Sequence, residues 1–142
     1  MRLWMIFLMS QLSFLLYSQD ISENRSIVSW QADYDKALQK AKRVQKPLMI
    51  FLIHLEEPDL TQSRKILKTY FMNRSYIFAI NHKVVPVLIT YGQKNSYPVE
   101  LYYTTHFPVL FLVDSQKELF LQPPLYDDEI TPENITKLLS TL

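Results

Sequence analysis

Six consecutive apolar residues, Leu48–Ile53, are the most restrictive feature of this 142-residue sequence. The run has the length of a β-strand, and it lies between two stretches whose apolar residues recur with helical spacing, 31–45 and 58–71. A strand that is apolar at every position must be covered on both faces, because its alternate side chains point to opposite sides of the sheet. The sequence therefore predicts a central buried strand with helices on both faces of its sheet.

The rest of the chain extends this α/β order. The other predicted elements are a strand at 27–30, a strand at 83–90, a short helix at 98–103, a hairpin of strands 109–113 and 118–121, and a final helix that begins at Thr131 and Pro132 and continues to 142. The segment 73–75 is predicted to end the second helix, and Pro86 weakens the expected pairing of its strand, since proline donates no ladder hydrogen bond. This order predicts one α/β domain, 27–142, with a mixed central sheet flanked by helices.

Composition excludes several classes of chemistry. The sequence has no cysteine, which removes thiol nucleophiles, disulfides and cysteine-based metal sites. The sequence has one glycine, Gly92, whereas the glycine-rich loops that hold nucleotide phosphates need several. The sequence has 15 Lys and Arg residues and 14 Asp and Glu residues, so its formal net charge is only +1. It therefore lacks the strong positive electrostatic field that attracts nucleic acid. We expect no cofactor and no nucleic-acid partner.

The first 18 residues have the pattern of a secretory signal peptide. Arg2 precedes a largely apolar stretch, 3–17, and Ser18 then offers a small residue for cleavage. Residues 19–26 are predicted to form a flexible polar lead-in. The alternative is an uncleaved membrane anchor, although polar residues interrupt the stretch and a spanning helix needs about 20 apolar residues. The pattern predicts a periplasmic or secreted protein without a stable membrane span after cleavage.

A series of short motifs occurs in a fixed order along residues 28–142. They are Trp30, Tyr34, Ala37-Leu38, Ala41-Lys42 and Lys46-Pro47, then the strand 48–53, the tetrad Glu57-Pro58-Asp59-Leu60, and the Pro108 turn, His106-Phe107-Pro108-Val109. Together they resemble small exported thioredoxin-like domains, including bacterial periplasmic members and the vertebrate anterior gradient proteins. The resemblance implies a thioredoxin-like fold.

In that family the tetrad is Cys-x-x-Cys or Cys-x-x-Ser, and its two end positions correspond here to Glu57 and Leu60. A helix N-terminus lowers the pKa of a thiolate, which explains why such a motif belongs there. The buried acid that thioredoxins commonly have is replaced by Phe51. The resemblance thus implies a degenerate redox motif, and thiol–disulfide exchange by this chain's own residues is chemically impossible.

The resemblance also implies that Pro108 follows a cis peptide bond and that the backbone of Phe107 is free to pair with an extended client peptide. The predicted contact surface comprises Glu56, the tetrad, Phe107, Pro108, Tyr102 and Tyr103, near a band of aromatic residues that also includes Tyr91 and Tyr97. The alternatives are that the turn only starts the strand 109–113, and that the aromatic residues are ordinary core packing. The leading hypothesis is a redox-inactive protein that binds a protein or peptide client.

Two other hypotheses stay open. One is a metal-binding or acid–base enzyme site rebuilt around His54, Glu57 and His106, because imidazole and carboxylate groups suit Zn²⁺ or another divalent ion. The simpler explanation of the acidic residues is that they stabilise the start of a helix. The other hypothesis is a structural subunit of an envelope assembly. The sequence does not define the oligomeric state.

Overall fold

The structure is a computed structural model that describes residues 26–94 and 97–142. Its helices are α1 (Tyr34–Val44), α2 (Asp59–Thr69), α3 (Arg74–Lys83) and α4 (Pro132–Ser140), its strands are β1 (Leu48–Ile53), β2 (Val85–Thr90), β3 (Val109–Val113) and β4 (Leu125–Tyr126), and a 3-10 helix spans Asp127–Glu129. The predicted signal peptide and all of the predicted lead-in except Ser26 lie outside the described residues. Among the described helices, none has the length and apolar character needed to span a bilayer.

The four strands form one mixed sheet in the order β2-β1-β3-β4. β1 pairs in parallel with β2, with Leu48 opposite Val85, and antiparallel with β3, with Leu52 opposite Val109. β4 pairs antiparallel with the first two residues of β3. This arrangement confirms the predicted mixed sheet flanked by helices.

The buried run of β1 separates two hydrophobic cores. Met49, Phe51 and Ile53 belong to the core that α2, α3 and α4 cover, whereas the alternate residues Leu48, Ile50 and Leu52 belong to the core under α1. All six side chains are buried, so neither face of β1 reaches solvent. Burying one such side chain stabilises a fold by ~1.5–3 kcal/mol. The uninterrupted apolar run is explained by helices on both sides of the sheet.

Pro86 is compatible with β2 because β2 lies at the edge of the sheet. The carbonyl of Pro86 accepts a hydrogen bond from Gln31 N–H, and Leu88 N–H donates to Gln31 C=O, so these groups point away from β1. The missing N–H of Pro86 lies on the same outer side, where it costs no bond to β1. The predicted strand at 27–30 is reduced to this contact, a single bridge between Gln31 and Val87.

One helix of the structure, α3, is not predicted by the sequence pattern. α3 begins after Asn73, whose side chain accepts a hydrogen bond from Ser75 N–H, so the predicted break at 73–75 is also the start of a helix. Its apolar residues include the consecutive run 76–80, which lacks the 3–4 spacing of an amphipathic stripe. Lys83 ends this helix and does not begin β2.

Two further predicted elements differ in the structure. Residues 98–102 form a turn in which Leu101 N–H donates to Pro98 C=O, and no helix is assigned there. The hairpin after β3 exists as one bridge, Val113 to Phe120, and the pairing strand is β4 further along. Between Phe120 and β4 lie Pro123 and Pro124, which have no N–H to extend the ladder.

Candidate functional site

The candidate site lies where β1 ends and β3 begins. These strands are antiparallel, with Leu52 opposite Val109, so the exit of β1 and the entry of β3 are side by side. The tetrad follows β1 and leads into α2, and the Pro108 turn leads into β3. The structure therefore brings these two predicted segments to one end of the sheet.

The tetrad forms the start of α2. Pro58 occupies the N-cap position and provides no side-chain hydrogen bond, and the Glu57–Pro58 peptide bond is cis. The carboxylate of Glu57 accepts a hydrogen bond from Thr61 N–H at 3.1 Å, which satisfies one of the free donors of the first turn. Asp59 adds a second carboxylate in this turn, and such groups stabilise a helix start by ~0.3–1 kcal/mol each. The polar residues of the tetrad thus stabilise the helix.

His54 connects the two segments. Its Nδ1 lies 3.2 Å from Asp59 Oδ2, and its Nε2 lies 3.9 Å from Glu56 Oε2. The same ring contacts the ring of Phe107, with centroids 5.2 Å apart, and the ring of Tyr91 at 5.6 Å. Tyr91 also packs on Phe107 at 4.9 Å. The imidazole thus lies between the carboxylates that start α2 and the aromatic residues beside the Pro108 turn.

The Pro108 turn has an unpaired backbone segment. The Phe107–Pro108 bond is cis, and the carbonyl of Pro108 accepts a hydrogen bond from Asp127 N–H at 2.8 Å, on the β4 side. Within the ranges 26–94 and 97–142, neither the N–H nor the C=O of Phe107 takes part in a hydrogen bond.

Tyr102 and Tyr103, the two tyrosines of the predicted contact surface, lie in opposite environments. Tyr102 is only 1% exposed, and its hydroxyl lies 3.0 Å from that of Tyr34 in the core. Burial raises the pKa of Tyr102 far above its ordinary value, and the bond to Tyr34 raises it further. Tyr103 is 71% exposed. The structure therefore places Tyr102 in the core, as the packing alternative expects, and leaves Tyr103 on the surface.

The three residues of the proposed metal or acid–base site are not brought together. His106 is exposed, its Nδ1 lies 3.2 Å from Thr105 Oγ1, and its ring contacts Tyr126. Glu57 is engaged with Thr61, and His54 with other carboxylates. In the described part of the chain, no group of three or more His, Asp or Glu side chains is arranged to hold a metal ion.

Two contacts of the site were not predicted from the sequence. The sequence places Tyr91 in the aromatic band but outside the predicted contact surface, whereas in the structure it touches both His54 and Phe107. The pairing of His54 with Asp59 depends on the path of residues 55–58, for which the sequence carries no periodic signal. The useful signal for Tyr91 was its position directly after β2, since β2 and β1 are parallel and end together.

Comparisons with known proteins identify the fold. No family model and no curated protein matches the sequence. Among solved structures, the protein is similar to a DsbH oxidoreductase, with a TM-score of 0.61 and 20% identity over 87% of this chain and 88% of that chain. It is also similar to a thioredoxin from Thermus thermophilus, with a TM-score of 0.64 and 13% identity over 82% of this chain and 87% of that chain. The predicted thioredoxin-like fold is confirmed.

The fold and the sequence together define the chemical limits of the site. The tetrad occupies the start of α2 in a thioredoxin-like fold, and the sequence contains no cysteine. Thiol–disulfide exchange requires a thiolate that attacks a disulfide sulfur. The protein is therefore a thioredoxin-fold protein that is redox-inactive in this reaction.

Proposed function

We propose that this protein is an exported, redox-inactive thioredoxin-fold protein of the periplasmic or secreted kind that binds an extended segment of a client protein. The client lies beside the Pro108 turn and pairs with the backbone of Phe107. The observation that carries the proposal is the absence of any hydrogen-bond partner for the Phe107 N–H and C=O within the described residues.

Unpaired backbone groups favour a strand-like partner. The Phe107 N–H and C=O have no hydrogen-bond partner among the described residues, so both groups are available to a partner from outside this part of the chain. An extended peptide offers a C=O and an N–H with complementary spacing, as in strand addition to a sheet edge. Such a segment would pair with both groups of Phe107.

Exposed aromatic residues provide contact area beside this backbone. Tyr91 is 41% exposed and packs on Phe107, and Tyr103 is 71% exposed four residues before it. Aromatic side chains are enriched at protein interfaces because they bury a large area at a small cost in side-chain entropy. Backbone pairing would supply affinity for many clients, and these rings would select among client side chains.

Export is supported by the N-terminal sequence pattern. Residues 1–18 combine a basic start, an apolar stretch and a small residue at the expected cleavage position. N-terminal sequencing of the protein recovered from the exporting cell tests this part of the proposal, with a new N-terminus after Ser18 as the expected result. A protein that retains residues 1–18 and stays in the membrane fraction would overturn cleavage.

Client binding is tested with short unstructured peptides and amide hydrogen exchange. Peptides that bind are expected to slow exchange of the Phe107 amide, while the amide of the exposed Phe78 on α3 serves as the reference. An N-methyl group at the peptide residue that pairs with Phe107 should weaken binding about tenfold, the equivalent of one backbone hydrogen bond of ~1.4 kcal/mol. If no peptide protects Phe107, the proposal fails and the structural-subunit hypothesis takes its place.

A further inference from the structure

A small pocket lies at the end of the sheet opposite the Pro108 turn. β1 and β2 are parallel, with Leu48 opposite Val85, so both strands begin at this end, whereas the candidate site lies where β1 ends. The pocket has a volume of about 210 Å³ and lies between the second half of α1 and the start of β2. It is therefore separate from the contact surface that the proposed function uses.

Two lysines line this pocket without a counter-charge. Lys40 lies on α1 and Lys46 lies between α1 and β1, and both are partly buried. Among the described residues, neither lysine has a carboxylate within ion-pair distance, and no Asp or Glu lines the pocket. By contrast, Lys42 of the same helix pairs with Glu118 at 3.3 Å. The pocket is thus positively charged, and no carboxylate of the described residues neutralises it.

Capping of α1 does not explain these two lysines. Basic side chains near the C-terminus of a helix can hydrogen-bond its last carbonyl groups. Here the carbonyl of Ala41 accepts from the backbone N–H of Lys46, and that of Lys42 accepts from Gln116 Nε2. Within the described ranges, the ammonium groups of Lys40 and Lys46 donate no hydrogen bond to a carbonyl or to any other group. Both ammonium groups are therefore available to a ligand.

The walls of the pocket are held in place by hydrogen bonds. Asn81 on α3 donates from Nδ2 to the carbonyl of Ile27 and accepts at Oδ1 from Ser29 N–H, and both Asn81 and Ser29 line the pocket. At the start of β2, Val85 N–H donates to Pro47 C=O at 2.9 Å. These polar groups are used by the fold, so the lysines supply the donors for a ligand. A pocket with fixed walls loses little freedom when a ligand binds.

We propose that this pocket binds the phosphate group of a small molecule, either inorganic phosphate or a short phosphate monoester. Phosphate is a compact anion with several acceptor oxygens, and each lysine ammonium group binds it as a point charge with three donors. A planar carboxylate is bound best by the forked guanidinium of arginine, and no arginine of the described residues lines the pocket. The pair of lysines therefore favours phosphate over a carboxylate.

The size and lining of the pocket limit what the phosphate can carry. Its volume of about 210 Å³ is below the ~300–1,000 Å³ of pockets that hold drug-sized ligands. Val44, Val84 and Pro86 form an apolar part of the lining, beside the two lysines. A short alkyl group on the phosphate would contact these residues, and a larger substituent would extend out of the pocket.

Binding is measured by NMR titration of backbone amide chemical shifts at low ionic strength. The amides of Lys46 and Val85 report on the pocket, and the amide of Phe107 at the other end of the sheet serves as the reference. The added ligands are inorganic phosphate, ethyl phosphate, and propionate as a carboxylate of similar size. Comparison of the first two distinguishes free phosphate from a phosphate monoester as the better ligand.

Three double variants are compared with the unchanged protein. The test variant, Lys40→Gln with Lys46→Gln, removes both charges of the pocket. Lys40→Arg with Lys46→Arg keeps both charges at the same positions. The matched control, Lys65→Gln with Lys68→Gln, also removes two positive charges, from exposed positions on α2. Thermal unfolding shows whether each variant is folded. If the test variant does not fold, the single variants Lys40→Gln and Lys46→Gln replace it.

Both phosphates are expected to shift the Lys46 and Val85 amides until the shifts saturate, and to bind about tenfold more tightly than propionate. The test variant should bind phosphate about tenfold more weakly, and each single variant about threefold more weakly, whereas the arginine variant and the control stay within about twofold of the unchanged protein. Absence of saturable shifts at Lys46 and Val85 overturns the proposal. Equal affinity for propionate, or unchanged binding in the folded lysine-to-glutamine variants of the pocket, also overturns it. None of these outcomes bears on peptide binding at Phe107.

Discussion

The two segments of the candidate site differ in how completely their polar groups are paired. On the tetrad side, Glu57 accepts from Thr61 N–H, and Asp59 pairs with His54. On the other side, the backbone of Phe107 has no hydrogen-bond partner in the part of the chain that is described. The tetrad is a completed helix start, whereas the Pro108 turn has groups that a binding partner would satisfy.

This difference predicts that the tetrad mainly affects the stability of the fold and that the Pro108 turn mainly affects peptide binding. Glu57 and Leu60, which the resemblance implies stand at the two cysteine positions of a redox tetrad, have no redox chemistry, and Glu57 contributes to helix capping. Changes in the tetrad should therefore alter stability through α2, and changes in peptide backbone pairing should alter affinity at Phe107. Changes in the core beneath the turn should have the largest effect of all.

The largest effect is expected for Tyr102→Ala. Tyr102 anchors the segment that leads to the Pro108 turn, since its ring packs on Phe111 and its hydroxyl contacts Tyr34. Loss of a buried aromatic ring should lower the free energy of unfolding by ~3–5 kcal/mol, as for other large aromatic-to-alanine changes. Urea denaturation of the variant and the unchanged protein measures this loss. The control Tyr103→Ala, at the exposed neighbour, should change stability by less than ~0.5 kcal/mol, and equal losses would show that Tyr102 is not an anchor.

The next effect is a loss of stability in alkaline solution. Burial raises the pKa of both Tyr34 and Tyr102 above the ordinary value of 10.0. At lower pH both residues are neutral in the folded and unfolded states. Above pH 10 the unfolded chain releases these protons first, so stability falls with rising pH, by up to ~1.4 kcal/mol per pH unit for each tyrosine.

The control for this pH effect is the double variant Tyr34→Phe with Tyr102→Phe. It removes both buried hydroxyls and should have a flatter stability profile above pH 10, measured by denaturation at a series of pH values. Some slope will remain because burial also raises the pKa of Tyr97. An unchanged slope in the variant would contradict the assignment to the Tyr34–Tyr102 pair.

A smaller effect is expected for Glu57→Ala. This change removes the acceptor for Thr61 N–H at the start of α2, where Pro58 provides no side-chain cap. The loss should be ~0.5–1 kcal/mol, at the lower end for capping residues because the site is exposed. Glu57→Gln keeps an acceptor and should recover most of the loss in the same denaturation assay. If both variants lose the same stability, the negative charge and not the hydrogen bond supports the helix.

The fold was predictable wherever one physical requirement determined the pattern. Leu48–Ile53 has the length and composition of a strand covered on both faces, and the structure buries all six residues. α3 was missed because its apolar residues do not follow a helical stripe, and its boundary at Asn73 has the same polar composition as a loop. β4 was displaced because two residues, Leu125 and Tyr126, are too few for a periodic signal.

The candidate site was predictable at the level of segments but not of side chains. The order of the motifs placed the tetrad and the Pro108 turn at one end of the sheet, and the pairing of β1 with β3 agrees. Tyr102 and Tyr103 are chemically identical neighbours, and tertiary contacts of Tyr102 with Tyr34 and Phe111 decide which of the two is buried. The contacts of His54 depend on loop conformation, which no local pattern encodes.

The smallest effect is expected for Phe107→Leu, and it tests which part of Phe107 binds. The substitution keeps an apolar side chain between His54 and Tyr91 and leaves the backbone N–H and C=O in place. Peptide affinity should change by less than about threefold, or ~0.7 kcal/mol, although the protein loses some stability through imperfect packing. Titration with the same peptide before and after N-methylation provides the comparison. A large loss in a folded Phe107→Leu variant, with the N-methyl peptide unaffected, would assign binding to the ring and would remove the backbone argument.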